Sequence, residues 1–562
     1  MNILHQTLLD VTCRLLPLAL LIVERLIYDH LVHKYQRHWL VQLEQALDLR
    51  PLEQGCADFH QGSGQGSAVI HAVPRLVRAF LVKYLFNLSY RQTEEKIDRD
   101  LLVKWFVGYG LFESPPDHTT LQRFEMWVLN QRPDLFFNDT LRQIDHLDPG
   151  DGQQLQLVDT FAMLARAAKA SLIPLLREAS QQVLAALQTA HPEQAAAILA
   201  HLDQPALFGQ KGDKPTRALN AQERAERLQQ VVTEALRLHR LARAARYQPP
   251  LPSPEALEQL DYWLGVLDKI IHDETTLTPT DPAAAEPVAV TERPHGHKGS
   301  YRIAALSDTE ATFRHHGADQ GDGAKLAFNA SILTGRRYVR QTQADTGARP
   351  DCEPLPELLH KHHRRQGFFP PKVAGDQAYG SGKVRAQVEQ ATDAQTQVVA
   401  LVPNYEKRSD RFSPLHFTFS AADLTLTCPN QVVTDKFTDR PDDGGRTFRF
   451  TPKMCRDCPL VDQCRGPEAN PNARRTVFIS YYRTYTLEAL AYNKTEPFKQ
   501  EIKQRPLIER IIFNLTNLHG ARRARSTGLK KADFQLQMNA TAFNIRQLLR
   551  RWPHLTANVT AV

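Results

Sequence analysis

Residues 371–383 read PKVAGDQAYGSGK. A short apolar run, Val373-Ala374, leads into an acid, Asp376, and then a tyrosine and two glycines. The run has the length and boundaries of a buried strand, and SGKVRAQVEQA behind it has helical spacing. A lone carboxylate at such a strand mouth either caps the following helix or belongs to a site. The glycines at 380 and 382 are expected to let the chain turn tightly into that helix, with Tyr379 serving packing.

Working outward, TQVVALVP (residues 396–403) reads as the next strand, and EPLPELLHKHHRRQG (353–367) as a preceding helix. YRIAAL (301–306), AKLAFNASIL (324–333) and RRYVRQTQA (336–344) carry strand signals. Far upstream, QLQLVDTFA (154–162) alternates like a strand and is expected to end near Asp159. Strands alternating with helices indicate a mixed α/β core. The histidines of HKHH and of RHH (314–316) are expected to face solvent rather than to bind metal.

The remainder is largely helical. Residues 70–132 read as short helices with sharp capped turns: Ser89 is placed to cap a helix from Tyr90, and Asp117 or Thr119 a basic one. Such turns suit a helix-turn-helix-like DNA binder or a plain bundle. Residues 165–270, rich in Ala, Leu, Gln and Arg, read as a helical insertion, and TPTDPAAAEP (278–287) as a linker. GSGQGS (62–67) marks a flexible break.

With 562 residues, 42% hydrophobic and 23% charged, the chain is long enough for several structural units. The net charge of +7 permits nucleic-acid contact, and its distribution says more. Residues 501–551 hold eleven Lys or Arg against three acids. The apolar run LLPLALLIV (15–23) is shorter than the roughly 20 residues that a membrane span needs, and charged residues flank it. No signal-peptide pattern is visible, so a cytoplasmic, reducing location is expected.

Four of the seven cysteines cluster in TCPN…KMCRDCPLVDQCRG, at Cys428, Cys455, Cys458 and Cys464. In a reducing compartment this pattern suits tetrahedral Zn²⁺ in a structural or DNA-contacting module. Three acids also stand out. Asp159 and Asp376 belong to strands. Glu509 is flanked by Ile508, Ile511, Ile512 and Phe513, and is expected to be partly buried on a helix. Three carboxylates at one end of a sheet would make an oxygen-rich site for Mg²⁺.

Four ordered stretches, taken together, are similar to one family. LSYRQTEEKIDRDLLVKWFVGYGLFESPPDHTTLQRF (88–124) looks like the N-terminal domain of bacterial insertion-sequence DDE transposases. LVDTFAMLARA (157–167) resembles their first-Asp strand, and PPKVAGDQAYGSGKVRAQV (370–388) their second-Asp strand and helix. Residues 505–550, RPLIERIIFN through NIRQLLR, are similar to their Glu helix and basic tail.

The resemblance implies a ribonuclease-H-like core in which Asp159, Asp376 and Glu509 are catalytic and hold Mg²⁺ or Mn²⁺. It implies that Arg505, four residues before Glu509, holds a DNA phosphate. A tyrosine and a lysine common in related enzymes are replaced by Ile502 and Thr516; Arg522, Arg523 and Arg525 are placed to supply positive charge, and Arg510, Lys530 and Lys531 join them as DNA-binding candidates. The implied activity is metal-dependent hydrolysis at transposon inverted-repeat ends in double-stranded DNA, then 3′-hydroxyl strand transfer by a homodimer on DNA. A metal-dependent nuclease and an inactive DNA-binding remnant are the alternatives.

The expected organisation follows. Residues 1–66 form an N-terminal helical region and 67–150 a helix-turn-helix-like DNA-binding domain. Residues 151–164 open the core, 165–290 are a helical insertion, and 291–404 resume the core. Residues 405–492 are a Cys-rich zinc module, and 493–562 carry the Glu helix and basic tail.

Overall fold

The computed structural model describes residues 20–61, 71–279, 288–314, 325–403, 411–466, 470 and 472–559. The glycine-rich break at 62–67, most of the 278–287 linker, His315, His316 and residues 15–19 of the apolar run lie outside the described residues.

A mixed sheet lies at the centre of an α/β fold. In chain order the strands are β1 (Gln156–Leu164), β2 (Thr275–Pro279), β3 (Val288–Glu292), β4 (Thr312–Arg314), β5 (Lys325–Thr334), β6 (Val339–Thr346), β7 (Lys372–Ala374) and β8 (Gln397–Val399). β2 and β3 pair only with each other; the other six form one sheet. β5 runs antiparallel to β1 and, on its far edge, to β4 and β6. β7 is parallel to β1, and β8 to β7. The 301–306 stretch is not a strand. Ile303, Ala304 and Ala305 are buried in irregular chain, so its apolar pattern reports burial alone.

Strand alternation separates two faces. Val158 and Val373 point to one face, against Leu355, Leu358 and Leu359 of the Leu355–Gln366 helix and Val384 and Val388 of the Gly382–Ala391 helix. Leu157, Phe161, Met163 and Ala374 point to the other. There they meet Ile508, Ile511 and Leu515 of the Pro506–Asn517 helix, and Phe534 and Leu536 of the Leu529–Val559 helix. The result is three layers, with helices on both faces of the sheet.

The N-terminal helices join the second core. Helices Val73–Leu85, Tyr90–Arg99, Leu101–Val107, His118–Gln131 and Leu135–Leu147 bury Phe80, Phe124 and Phe136 in it. Phe80 stacks on Phe534 with ring centroids 6.3 Å apart. Ser89 caps its helix with a reciprocal bond to Gln92, and Asp117 caps the next basic one. Polar ties reinforce the seam. Asp148 accepts from Tyr338 Oη at 2.8 Å and Arg551 Nε at 2.7 Å, and fully buried Arg340 pairs with Asp145 at 2.6 Å.

The insertion builds a core of its own. Helices Leu172–Ala190, Ala221–Ala245 and Pro254–Glu274 bury Leu176, Leu187, Val232, Leu238 and Leu267 together, with the β2–β3 hairpin beside them. A smaller β unit over 411–480 encloses Phe417, Leu426, Phe448, Phe450, Val477 and Ile479.

Candidate active site

β1 and β7 bring two acids level with each other. Their parallel register pairs Leu157 with Ala374. Two residues further along each chain lie Asp159 and Asp376, with the same side-chain parity as that pair. Strand alternation turns Asp159 toward the face covered by the Pro506–Asn517 helix, and Asp376, just past the end of β7, lies close enough for its charge to act on Asp159. Asp159 does not end its strand, as its sequence context led one to expect. β1 continues to Leu164 because β5 pairs with it along that whole length, whereas β7 stops at Ala374. Asp159 thus sits where one neighbouring strand has ended and the other has not.

Asp376 also caps the short 3₁₀ turn Gln377–Gly380, its Oδ1 accepting from Ala378 N at 2.8 Å. The cap and site readings of this residue are compatible, since a second oxygen remains. The glycines that follow serve close approach rather than unusual torsion. A Cβ on Gly380 would lie 1.9 Å from the Leu401 carbonyl oxygen, and one on Gly382 2.5 Å from that of Tyr482. Tyr379 is buried and donates its hydroxyl to the Asp351 carbonyl at 2.9 Å.

The third acid arrives on a helix. The 496–518 stretch, helical in its pattern, forms two helices, Glu496–Ile502 and Pro506–Asn517, because Pro506 restarts the chain. Ile508, Ile511 and Leu515 anchor the second against the sheet. Each such burial contributes about 1.5–3 kcal/mol. Glu509 is not partly buried as expected: it stands off this apolar stripe, with its side chain 59% exposed. Phe513 is exposed as well.

Arg505, the residue that caps this helix, links the acids. Its Nη2 lies 3.5 Å from Asp159 Oδ2, and its Nη1 lies 3.2 Å from Glu509 Oε1. The guanidinium expected to meet DNA is instead engaged by two carboxylates of its own chain. Burial raises the Asp159 carboxyl to about 6, and the nearby Asp376 and Asp351 charges add to this; the Thr160 amide and Arg505 oppose it.

Asp351 is an acid that the sequence did not single out. It lies in the turn before the Leu355–Gln366 helix, where its Oδ1 meets Arg314 Nη2 at 3.1 Å and Asn329 Nδ2 at 3.1 Å. Nothing in its local pattern, DCEP, marks it; only the fold brings it near Asp159 and Asp376.

Among the described residues, no group of three or more His, Cys, Asp or Glu side chains is gathered closely enough to hold a metal ion. At the acids, an arginine stands between Asp159 and Glu509. The donor chemistry nonetheless fits a hard divalent cation: every donor is a carboxylate oxygen, and Asp159 is a half-buried acid beside like charges.

Comparison with known families decides the class. A model of the transposase DDE domain matches residues 427–549, and one of a transposase domain, DUF772, matches residues 29–126. Together the two matches indicate an insertion-sequence DDE transposase. No curated protein and no solved structure matches it. Glu509 and Arg505 lie inside the first matched stretch; Asp159 and Asp376 lie outside both.

The basic residues of the transposase divide into two groups. Arg510, Arg522 and Arg523 are exposed, and Lys531 is half-buried. Arg525 is engaged in the fold: it donates to Leu88 O at 3.0 Å and Asn87 Oδ1 at 2.5 Å, with its guanidinium over the Tyr84 ring. Lys530 donates to Asn130 Oδ1 at 2.9 Å. These two residues join the tail to the N-terminal helices. The backbone between them and Glu509 runs along the end of β1, where Leu164 bonds Arg522 O at 3.0 Å and accepts from Ala524 N at 2.9 Å.

The zinc expectation and the exposure expected of one histidine both change. Cys428, Cys455, Cys458 and Cys464 line one small apolar pocket with Phe417 and Phe450, but they are not assembled as zinc ligands. Burial, followed by the neighbouring thiols, pushes Cys455 up; burial also pushes up Cys464. His362 does not face solvent. It is fully buried on the inner side of the Leu355–Gln366 helix, close to Phe368.

Proposed function

We propose that this transposase binds the inverted-repeat ends of its mobile element in double-stranded DNA, hydrolyses a phosphodiester there, and joins the freed 3′-hydroxyl to target DNA. The reading draws its main support from the β1–β7 register, which pairs Leu157 with Ala374 two residues before Asp159 and Asp376, and from the closeness of the two carboxylates. The strand order supports a ribonuclease-H-like core: a central β1 with antiparallel β5 on one side and parallel β7 and β8 on the other. Such a core acts in the cytoplasm on chromosomal DNA, and pairing two ends calls for a dimer on DNA.

Asp159, Asp376 and Glu509 would hold Mg²⁺ or Mn²⁺, which supplies charge for activating the attacking oxygen and stabilising the leaving one. Asp376 is oriented by the Ala378 amide, which fixes one carboxylate oxygen. Asp159 is oriented by the Thr160 amide at 2.8 Å. Arg505 neutralises Asp159 and Glu509 while substrate is absent, and its partial exposure lets it turn toward a phosphate. Arg510, Arg522 and Arg523 offer exposed charge along the same edge.

The test is a joining assay with labelled end DNA and a supercoiled target in Mg²⁺. The expected result is cleaved ends plus joined product, both lost in Asp159→Asn and Glu509→Gln. Cleavage without joining would identify a nuclease. End binding without either reaction would identify a remnant.

A further inference from the structure

A cleft of about 570 Å³ lies on the seam between the Trp39–Ala46 helix and the Leu529–Val559 helix, and the chain just past the Glu509 helix completes its wall. Trp39, Gln42, Leu518, His519, Arg546 and Arg550 line it, and no carboxylate does. The Arg546 guanidinium rests 3.4 Å from the Trp39 ring centroid and is half-buried. Among the described residues it has no carboxylate partner and no hydrogen-bond acceptor.

A half-buried guanidinium with no counter-charge gains from an anion that completes it. This guanidinium brings five N–H donors, and Arg550 adds a second set at the cleft mouth. His519 is more than nine-tenths buried, and its Nδ1 has no hydrogen-bond partner. Burial, then Arg546 and Arg550, pull its imidazole down to about 4; burial, then Arg550, pulls the Arg546 guanidinium down to about 10. In each case burial is the larger cause, and the neighbouring positive charge acts in the same direction.

We infer that this cleft is a phosphate oxyanion site, in which Arg546 and Arg550 hold a backbone phosphate of bound DNA and Trp39 supports the guanidinium from below. The inference rests on the transposase reading and adds to it residues outside the acidic edge and outside the basic loop. Leu518 and His519 follow directly on the Pro506–Asn517 helix, so a phosphate here would register the DNA against the element that carries Glu509.

The test uses the full chain and a fluorescently labelled duplex bound across a salt series. Two variants are compared with wild type: Arg550→Gln, whose exposed side chain can be changed without disturbing the fold, and Arg546→Gln. Each variant is expected to lower the slope of log affinity against log salt by about one phosphate contact. A second arm follows Trp39 emission, assigned by its loss in Trp39→Phe, while inorganic phosphate or unlabelled duplex is added. A change with duplex alone supports a backbone phosphate; a saturable change with inorganic phosphate supports a free-anion site of the same chemistry. Wild-type binding with unchanged slopes in both variants, and no Trp39 response to either probe, would overturn the inference. Failure of wild type to bind any duplex would instead count against the transposase reading, and the inorganic phosphate arm alone would then decide the cleft.

Discussion

His362 shows what one buried side chain does to the whole fold. Burial, then Arg365 and Arg340, holds its imidazole down to about 3, below its ordinary 6.5. The folded state therefore refuses a proton that the unfolded chain accepts. The stability this brings is fully present above about pH 6.5 and is lost as pH falls toward 3. Between pH 7 and pH 5 the loss from this residue alone is about 2 kcal/mol. Urea unfolding at both pH values should show that loss in wild type and a clearly smaller one in His362→Gln. An equal loss in the two proteins would remove His362 as the cause. Gly380 gives a second residue-level expectation. Alanine there drives a Cβ into the Leu401 carbonyl and should cost about 1–3 kcal/mol by denaturant unfolding, whereas Gly296→Ala, with open space around it, should be neutral. Comparable effects at both glycines would show that close approach at Gly380 is not what matters. Neither position announces its role in sequence: His362 sits between His360, which is exposed, and His363, which is half-buried, and the clash at Gly380 is with chain 21 residues away.

Elements were legible where one period dominated. β1, β5, β6, β7 and β8 follow from apolar alternation or short apolar runs, and the capped helices at Ser89 and Asp117 follow from their caps. Residues 301–306 have the same apolar content but no strand partner, and pairing is a tertiary property that a single stretch cannot carry. The Pro506 break was visible as a residue but not as a boundary, since proline is equally at home in the first turn of a new helix. The acids divide in the same way. Asp159, Asp376 and Glu509 stood out through motif resemblance, while Asp351 has no motif and enters through the fold. At this scale the Glu509 helix is the weak link, because its apolar stripe and the Arg505–Asp159 pair are what fix it against β1. Ile508→Ala should destabilise the protein by about 2–5 kcal/mol and lower DNA cleavage more than end binding. A variant that cleaves at the wild-type rate would show that Glu509 needs no such anchoring.

Across the whole molecule, two cores set the pattern of unfolding. The N-terminal helices, the central sheet and the last helix share one core, while the insertion buries its own. Sequence divided the N-terminal helices from the sheet because a helical pattern gives way to strand alternation at 154–162, and it had no means of showing that Phe80 packs on Phe534. Calorimetry should resolve two transitions. Arg340→Met breaks a buried pair with Asp145 and should lower only the one from the shared core, by about 3–5 kcal/mol. A single transition shifted as a unit would contradict two separate cores. For activity, the shared core means that the helices matched to a transposase domain and the strands bearing the acids form one body, joined again by Arg525 and Lys530. The acidic edge is the point on which the function turns. The decisive measurement is cleavage of DNA carrying the element's own ends in Mg²⁺ or Mn²⁺, comparing wild type with Asp376→Ala and following end binding in the same samples. Cleavage by wild type that vanishes in the variant, with end binding intact, is the expected result. Equal cleavage by both proteins would show that the chemistry lies elsewhere, and binding without cleavage by either would leave Asp376 as the cap of its 3₁₀ turn.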